Sequence, residues 1–422
     1  MYTFALASAI LASTAAANSL YSRQATSYPA PLEKGPQPRQ EWIDTYNRVK
    51  AEGKIPGFAP AVNNDGVPSY PSGTNTGEDG ICSWTVAHCN GDNDITDAPD
   101  GMYAIAFDDG PVPQSRRLLE FLKQNNQTST HFMIGTAIVQ NPDVFAQTLQ
   151  NGGHIAVHTW SHPLMTTMTD MQILGELGWT AQAIYEQSGG LVPKYWRPPY
   201  GDADNRVRAI AEGVFGLTLV GWNRDSNDWC LNDGPGNCPS YGPGTEGGLE
   251  AELTGWMVGG KSPGPMGLEH ETGELTVGGF INTYPGLAEH GWDARCIPDL
   301  FGEPWYQNAA RNGTPTATMS IGAGNVPLTS TDSATSTATD TATSSASSGS
   351  AAAASGAVTT LGSSAAAASS VSASASASEA AASRAAASAR QAAKSGALSN
   401  GVATLTVALG LVGVALSALF SA

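Results

Sequence analysis

MYAIAF at residues 102–107 is an unbroken apolar run, and it stops on DDGP at 108–111. A short apolar run bounded by turn residues predicts a buried strand, and two carboxylates at its end predict chemistry there. Working downstream, 115–124 has helical spacing through Leu118, Leu119 and Leu122. Further apolar runs fall at 131–134, 154–158, 194–197, 217–222, 266–270 and 294–297. Helical stretches fall between them at 142–150, 170–187, 205–211, 249–258 and 275–290. Alternation of this kind predicts βαβ units around a parallel sheet. Six or seven units predict an α/β fold with a distorted or incomplete barrel. In such barrels the chemistry sits at the carboxyl ends of the strands. The polar signals Asp108, Asp109, His158, Arg197, Asp225 and His270 fall at those ends.

Upstream, residues 19–98 are rich in Pro, Asn, Asp and Gly and predict an irregular arm wrapped on a catalytic domain at 99–305. Downstream the composition changes. Residues 315–399 carry only six charges, Asp332, Asp340, Glu379, Arg384, Arg390 and Lys394, and no aromatic residue. A Ser/Thr/Ala tract of that kind buries too little apolar surface to offset its chain entropy, and it predicts an O-glycosylated stalk. The chain has 20 Lys+Arg against 37 Asp+Glu, a formal charge of −17 over 422 residues. The stalk's charges cancel, so the acidity belongs to the body. Nucleic acid is an unsuitable partner for such a surface, and a monomer is expected.

Residues 1–18, MYTFALASAILASTAAAN, predict a secretory signal peptide. Residues 401–422 hold no charge and follow the small triplet Ser395-Gly396-Ala397. That order predicts a GPI-attachment signal at 400–422, removed on attachment, with Ser395 as the attachment residue. The expected location is outside the cell, tethered to the plasma membrane or the wall. Asn126 and Asn312 head N-glycosylation sequons. Five cysteines in an exported chain predict two disulfides. Cys230 and Cys238 are close in a Gly/Pro/Asn loop; Cys82, Cys89 and Cys296 compete for the second bridge.

Adjacent residues on a strand project differently, so of Asp108 and Asp109 one can hold a metal and the other act as base. Taken alone, the pair is more readily a solvated Asp-Gly turn than a chemical site. His158 and His162 are four apart and would share a face on a helical turn. With Asp109 they make two imidazoles and a carboxylate, a common catalytic zinc set that leaves a position open for water. Arg197, opening RPPYG at 197–201, can clamp a carboxylate through its planar fork. In DSNDW at 225–229, Asp225 can orient a histidine and Trp229 can line a sugar subsite. His270, ending LEH at 268–270, can serve as a general acid.

Together and in order, FDDG, HTWSH, RPPYG, DSNDW and LEH resemble the five-motif signature of the polysaccharide deacetylase family, the NodB-homology carbohydrate esterases of family 4. The likeness spans residues 99–305, about half the chain. The flanks CSWTVAHCNGDNDIT at 82–96 and WDARCIPDLFGEPWY at 292–306 look like the fungal chitin deacetylases. The resemblance implies Asp108 as base, Arg197 orienting it, and Asp109, His158 and His162 on zinc, cobalt or another divalent ion. It implies Asp225 orienting His270 as acid, and the Tyr200 backbone N–H at the oxyanion. Trp229 and Leu268 would line the cleft and the pocket for an acetyl methyl. The implied activity is metal-dependent N-deacetylation of chitin or chito-oligosaccharides in cell-wall remodelling. Acetylxylan, peptidoglycan and an inactive, lectin-like wall protein are the competing readings. Ala106 departs from the Thr of many relatives, at a position without a chemical role, and the arm has fewer cysteines than some fungal relatives.

Overall fold

The computed structural model describes residues 28–323 apart from 235 and 237. The segments 1–18 and 400–422, Ser395 and all of the predicted stalk beyond residue 323 lie outside the described residues.

The deciding stretch forms two strands, β1 (Met102–Ala104) and β2 (Ala106–Gly110). After β2 come α1 (Ser115–Gln124), β3 (Thr130–Met133), α2 (Pro142–Gln150), β4 (His154–Val157), α3 (Asp170–Gln187), β5 (Tyr195–Trp196), α4 (Asn205–Phe215) and β6 (Thr218–Leu219). Strands β2 to β6 pair in sequence order as one parallel sheet. Every residue of β3 and β4 is buried, as a parallel sheet covered on both faces requires. That is why these runs read as continuous apolar stretches rather than alternations.

Beyond β6 lie β7 (Arg224–Asp225), α5 (Glu246–Val258), β8 (Gly267–Leu268), α6 (Glu274–Thr283) and β9 (Asp293–Arg295). β8 pairs with β7, and β9 with β1, both in parallel. Isolated bridges Ala104↔Met266 and Asp108↔His270 tie the β8 segment back to β1 and β2. Among the described residues no ladder joins β6 to β7, so the barrel is incomplete, as the alternation predicts. The long helical pattern at 275–290 divides because Pro285 starts a separate turn, Pro285–Glu289. The helix predicted at 205–211 runs on to Phe215, where Gly216 ends it in a left-handed cap (φ 64°).

The arm differs from the irregular segment expected. Gln40–Ala51 is a 12-residue helix that buries Trp42, Tyr46 and Val49. Trp42 is fully buried and donates from Nε1 to Ile321 O at 2.9 Å. It lies over Gly178 of α3, where an added Cβ would meet its ring at 2.5 Å. Spacing alone did not reveal this helix because its three buried residues are set among seven polar or charged ones. Met319 and Ile321 also join this core, so the chain remains packed on the body past 315, where the stalk was expected to begin.

Two disulfides are formed, Cys82–Cys89 and Cys230–Cys238, leaving Cys296 free and buried. Burial, with Asp299 nearby, pushes the Cys296 thiol up to about 12, so it is an inert apolar filler rather than a nucleophile. Asn126 is exposed. Asn312 is engaged instead: its Nδ2 donates to Gly153 O at 2.7 Å and Leu149 O at 3.3 Å, and its Oδ1 accepts from Tyr306. A glycan on Nδ2 would replace one of its two hydrogens, so at most one of the two donated bonds could persist beside it.

Candidate active site

The carboxyl ends of β2, β4, β5, β7 and β8 converge on one cleft lined by Asp108, His158, His162, Tyr200, Asp225, Trp229, Leu268 and His270, with Trp84 and Trp222 on its wall. Strict alternation would send Asp108 and Asp109 to opposite faces. The β2–β3 register shifts between Asp108 and Gly110, and Asp109 takes a left-handed φ of 70°. This bulge is what turns both carboxylates toward the same hollow.

Asp109 Oδ1 lies 3.3 Å from Nε2 of both His158 and His162. The three donor atoms fall within 4.8 Å of one another. The same Oδ1 is buried and has no hydrogen-bond partner, a costly arrangement for a carboxylate unless a cation occupies it. Burial pushes the Asp109 carboxyl up, but His162, His158 and His270 outweigh it and hold it well below the usual carboxylate range. His158 Nδ1 lies 2.7 Å from Arg197 O. That carbonyl can only accept, so Nδ1 carries the proton and Nε2 presents a lone pair. An orphaned buried oxygen between the Nε2 atoms of two imidazoles fits a divalent cation.

The two histidines do not share a helical face, as their spacing predicted. Residues 158–162 form a loop with left-handed turns at Thr159 (φ 65°) and His162 (φ 58°). Glu176 of α3, fully buried, holds this loop. It accepts from Trp160 N and Ser161 N at 2.8 Å and from Ser161 Oγ at 2.7 Å. Sequence reading missed Glu176; an acid inside the apolar run ILGEL (173–177) was the available signal.

Arg197 is fully buried and donates from Nη1 to Asp108 Oδ1 at 2.8 Å. Its other donors go to Val220 O (3.2 Å) and Gly221 O (3.0 Å), and its plane covers the Phe132 ring at 4.3 Å. The guanidinium is therefore fixed in position, as the clamp reading requires. Asp108 Oδ2 faces His158 Nε2 at 3.9 Å. Beneath it, Asp108 O accepts from Glu271 N at 3.2 Å, and Glu271 pairs with buried His131 at 3.1 Å.

The expected partner of His270 needs correction. Asp228, not Asp225, grips it: His270 Nδ1 lies 2.6 Å from Asp228 Oδ1, and His270 N donates to Asp228 Oδ2 at 2.8 Å. Asn227, left-handed at φ 50°, turns the chain so that Asp228 faces inward. Asp225 instead lines the cleft, accepts from Asn227 N at 3.0 Å and bears electrostatically on Arg197. Burial pulls the His270 imidazole down, but Asp228, followed by Asp109 and Asp108, raises it to about 10. His270 Nε2 stands 4.0 Å from Asp109 Oδ2, on the cation side of the cleft. Tyr200 is left-handed (φ 59°), and its ring meets that of His162 at 4.7 Å.

The polysaccharide deacetylase family matches residues 96–218. A protein called chitin deacetylase 3, from Cryptococcus neoformans var. neoformans, is 43 % identical over 286 residues, 67 % of this chain and 67 % of the relative. A chitin deacetylase from Amylomyces rouxii is 35 % identical over 222 residues, 50 % of this chain and 52 % of that one. A family 4 carbohydrate esterase from Streptomyces lividans, solved with acetate, is 29 % identical with a TM-score of 0.40, covering 48 % of this chain and 96 % of that one. The chain belongs to the polysaccharide deacetylase family.

Proposed function

We propose that the protein hydrolyses N-acetyl groups of chitin, β-1,4-linked N-acetylglucosamine, to leave glucosamine units and acetate. Asp109, His158 and His162 would hold the divalent cation, zinc by their donor chemistry, with cobalt or another divalent ion suited to the same set. The observation that carries this reading is the buried, partnerless Asp109 Oδ1 between two imidazole nitrogens. The substrate class draws support from relatives named as chitin deacetylases.

Such a cation supplies Lewis acidity and lowers the pKa of water from about 15.7 to about 7. Asp108, oriented by Arg197, accepts the proton of the attacking water. The Tyr200 N–H donates to the oxyanion that develops on the acetamide carbonyl, a type of contact worth about 3–4 kcal/mol. His270 has its Nδ1 committed to Asp228, so Nε2 presents the proton that the departing amine needs. Leu268 and Trp229 confine the acetyl methyl and the sugar. Export and a tether to membrane or wall complete the proposal; the two disulfides support an oxidising compartment.

The test is acetate release from chitin oligomers beside acetylxylan and peptidoglycan. The proposal expects chitin oligomers to be the preferred substrate. Preference for either other polymer would move the substrate assignment, and no release from any would favour the lectin-like reading.

A further inference from the structure

We infer that Trp84, carried on the Cys82–Cys89 loop, is a sugar-stacking wall of the cleft that favours longer chitin chains over short ones. This rests on the chitin reading above. Trp84 precedes the segment matched by the family, 96–218, yet it lines the same cleft as Asp108 and His270.

The loop is anchored firmly enough to hold a ring in place. Trp84 N donates to Ala203 O at 3.0 Å, and Asn205 N donates back to Ile81 O at 2.8 Å. Arg208 donates to the carbonyls of both cysteines, Cys82 O at 2.6 Å and Cys89 O at 3.0 Å. Thr85 Oγ1 donates to the buried carboxyl of Asp202. Gly201 lets the ring come close: a Cβ there would stand 2.4 Å from Trp84 Cζ3. Trp222 lies against it, centroids 4.8 Å apart at a 55° tilt. Trp84 remains half-buried, so the two indoles form an apolar wall partly open to the cleft, beside the reacting centre.

A pyranose ring presents C–H groups on its faces, which suit an indole plane. The acetamide under attack lies at the cation, so a wall to one side meets a sugar unit on that side; a dimer can place its second unit on the other side and miss the wall, whereas a pentamer spans both. Binding of that kind is equal in ground and transition states and changes KM rather than kcat. A purely structural Trp84 would affect short and long substrates alike.

The experiment compares wild type, Trp84→Ala and Trp84→Phe on the N-acetylated dimer and pentamer of the chitin series. For Trp84→Ala we expect KM for the pentamer to rise about three- to tenfold, the scale of one lost aromatic contact. The dimer KM should stay within about twofold, kcat should hold for both, and Trp84→Phe should recover most of the loss. A Cys82→Ser/Cys89→Ser double variant should shift the pentamer KM in the same direction. Equal changes for dimer and pentamer, or no change, would overturn the role of Trp84. Should the wild type release acetate from neither oligomer, the substrate reading fails by itself. Trp84 is then read by titrating tryptophan fluorescence with the pentamer: weaker binding by Trp84→Ala supports the wall, and unchanged binding rejects it.

Discussion

Asp108→Asn is expected to lower acetate release by at least about a hundredfold, the scale of a lost general base. The substitution is nearly isosteric and keeps an oxygen to accept from Arg197 Nη1, so the fold and the Asp109–His158–His162 cluster should survive. What disappears is proton-accepting capacity at a carboxylate that faces the cluster without belonging to it. The Asn oxygen still accepts from Arg197, but the carboxylate charge that offsets the fully buried guanidinium at 2.8 Å is gone, and a buried charge without a counter-charge is destabilising. Some loss of stability is therefore expected alongside the kinetic loss. A urea titration separates the two: the kinetic defect must persist under conditions where the variant is fully folded. Turnover near that of wild type would remove Asp108 from its role.

The second large effect concerns His270. His270→Ala should also cost at least about a hundredfold, because an amine leaves poorly without a proton. Asp228→Asn is the more informative change. In the wild type His270 is raised to about 10, with Asp228 the main force against burial. A group with a raised pKa stays protonated up to that pKa, so activity should persist through neutral pH and decline on the alkaline side. A cation on Asp109 would cancel that carboxylate's share of the rise but leave the share from Asp228. With Asp228 neutral, burial acts on His270 with less opposition and its pKa falls. The alkaline limb of kcat against pH should then move to lower pH, and activity lost at neutral pH should partly return as the solution is acidified. Asp225→Asn should leave that limb in place, because the two bonds that hold His270, at Nδ1 and at the backbone N, both come from Asp228. If Asp225→Asn moves the limb and Asp228→Asn does not, the assignment of the orienting carboxylate is reversed.

That pair shows where sequence reading stops. DSNDW offers two acids three apart at the end of a two-residue strand, and nothing in the letters says which one faces His270. The choice is made by a single left-handed turn at Asn227. The same holds for the adjacent carboxylates: their identity as chemical groups was legible in FDDG, but a regular strand would have parted them. The bulge at Asp109 brings them together, and it shows only in the β2–β3 register. The rings of HTWSH do come together beside Asp109, but two left-handed residues and the Glu176 bonds, not a helical face, align them. The clamp of Arg197 was legible because two prolines fix the backbone after it. The alternating runs from 102 to 222 were legible because buried parallel strands must be apolar on both faces. The arm helix was not, because three buried residues among polar ones give a weak signal, and its buried face is completed by partners as distant as Ile321.

The account depends most on one physical claim, that Asp109, His158 and His162 together hold a divalent cation. The direct measurement is acetate release from chitin oligomers by the folded protein before and after removal of divalent ions, with metal content determined on the same samples. The account predicts about one ion per chain, loss of activity on its removal, recovery on adding zinc or cobalt, and neither ion nor recovery in Asp109→Ala. Full activity in protein shown to contain no divalent ion, or unchanged metal content and activity in folded Asp109→Ala, would contradict it.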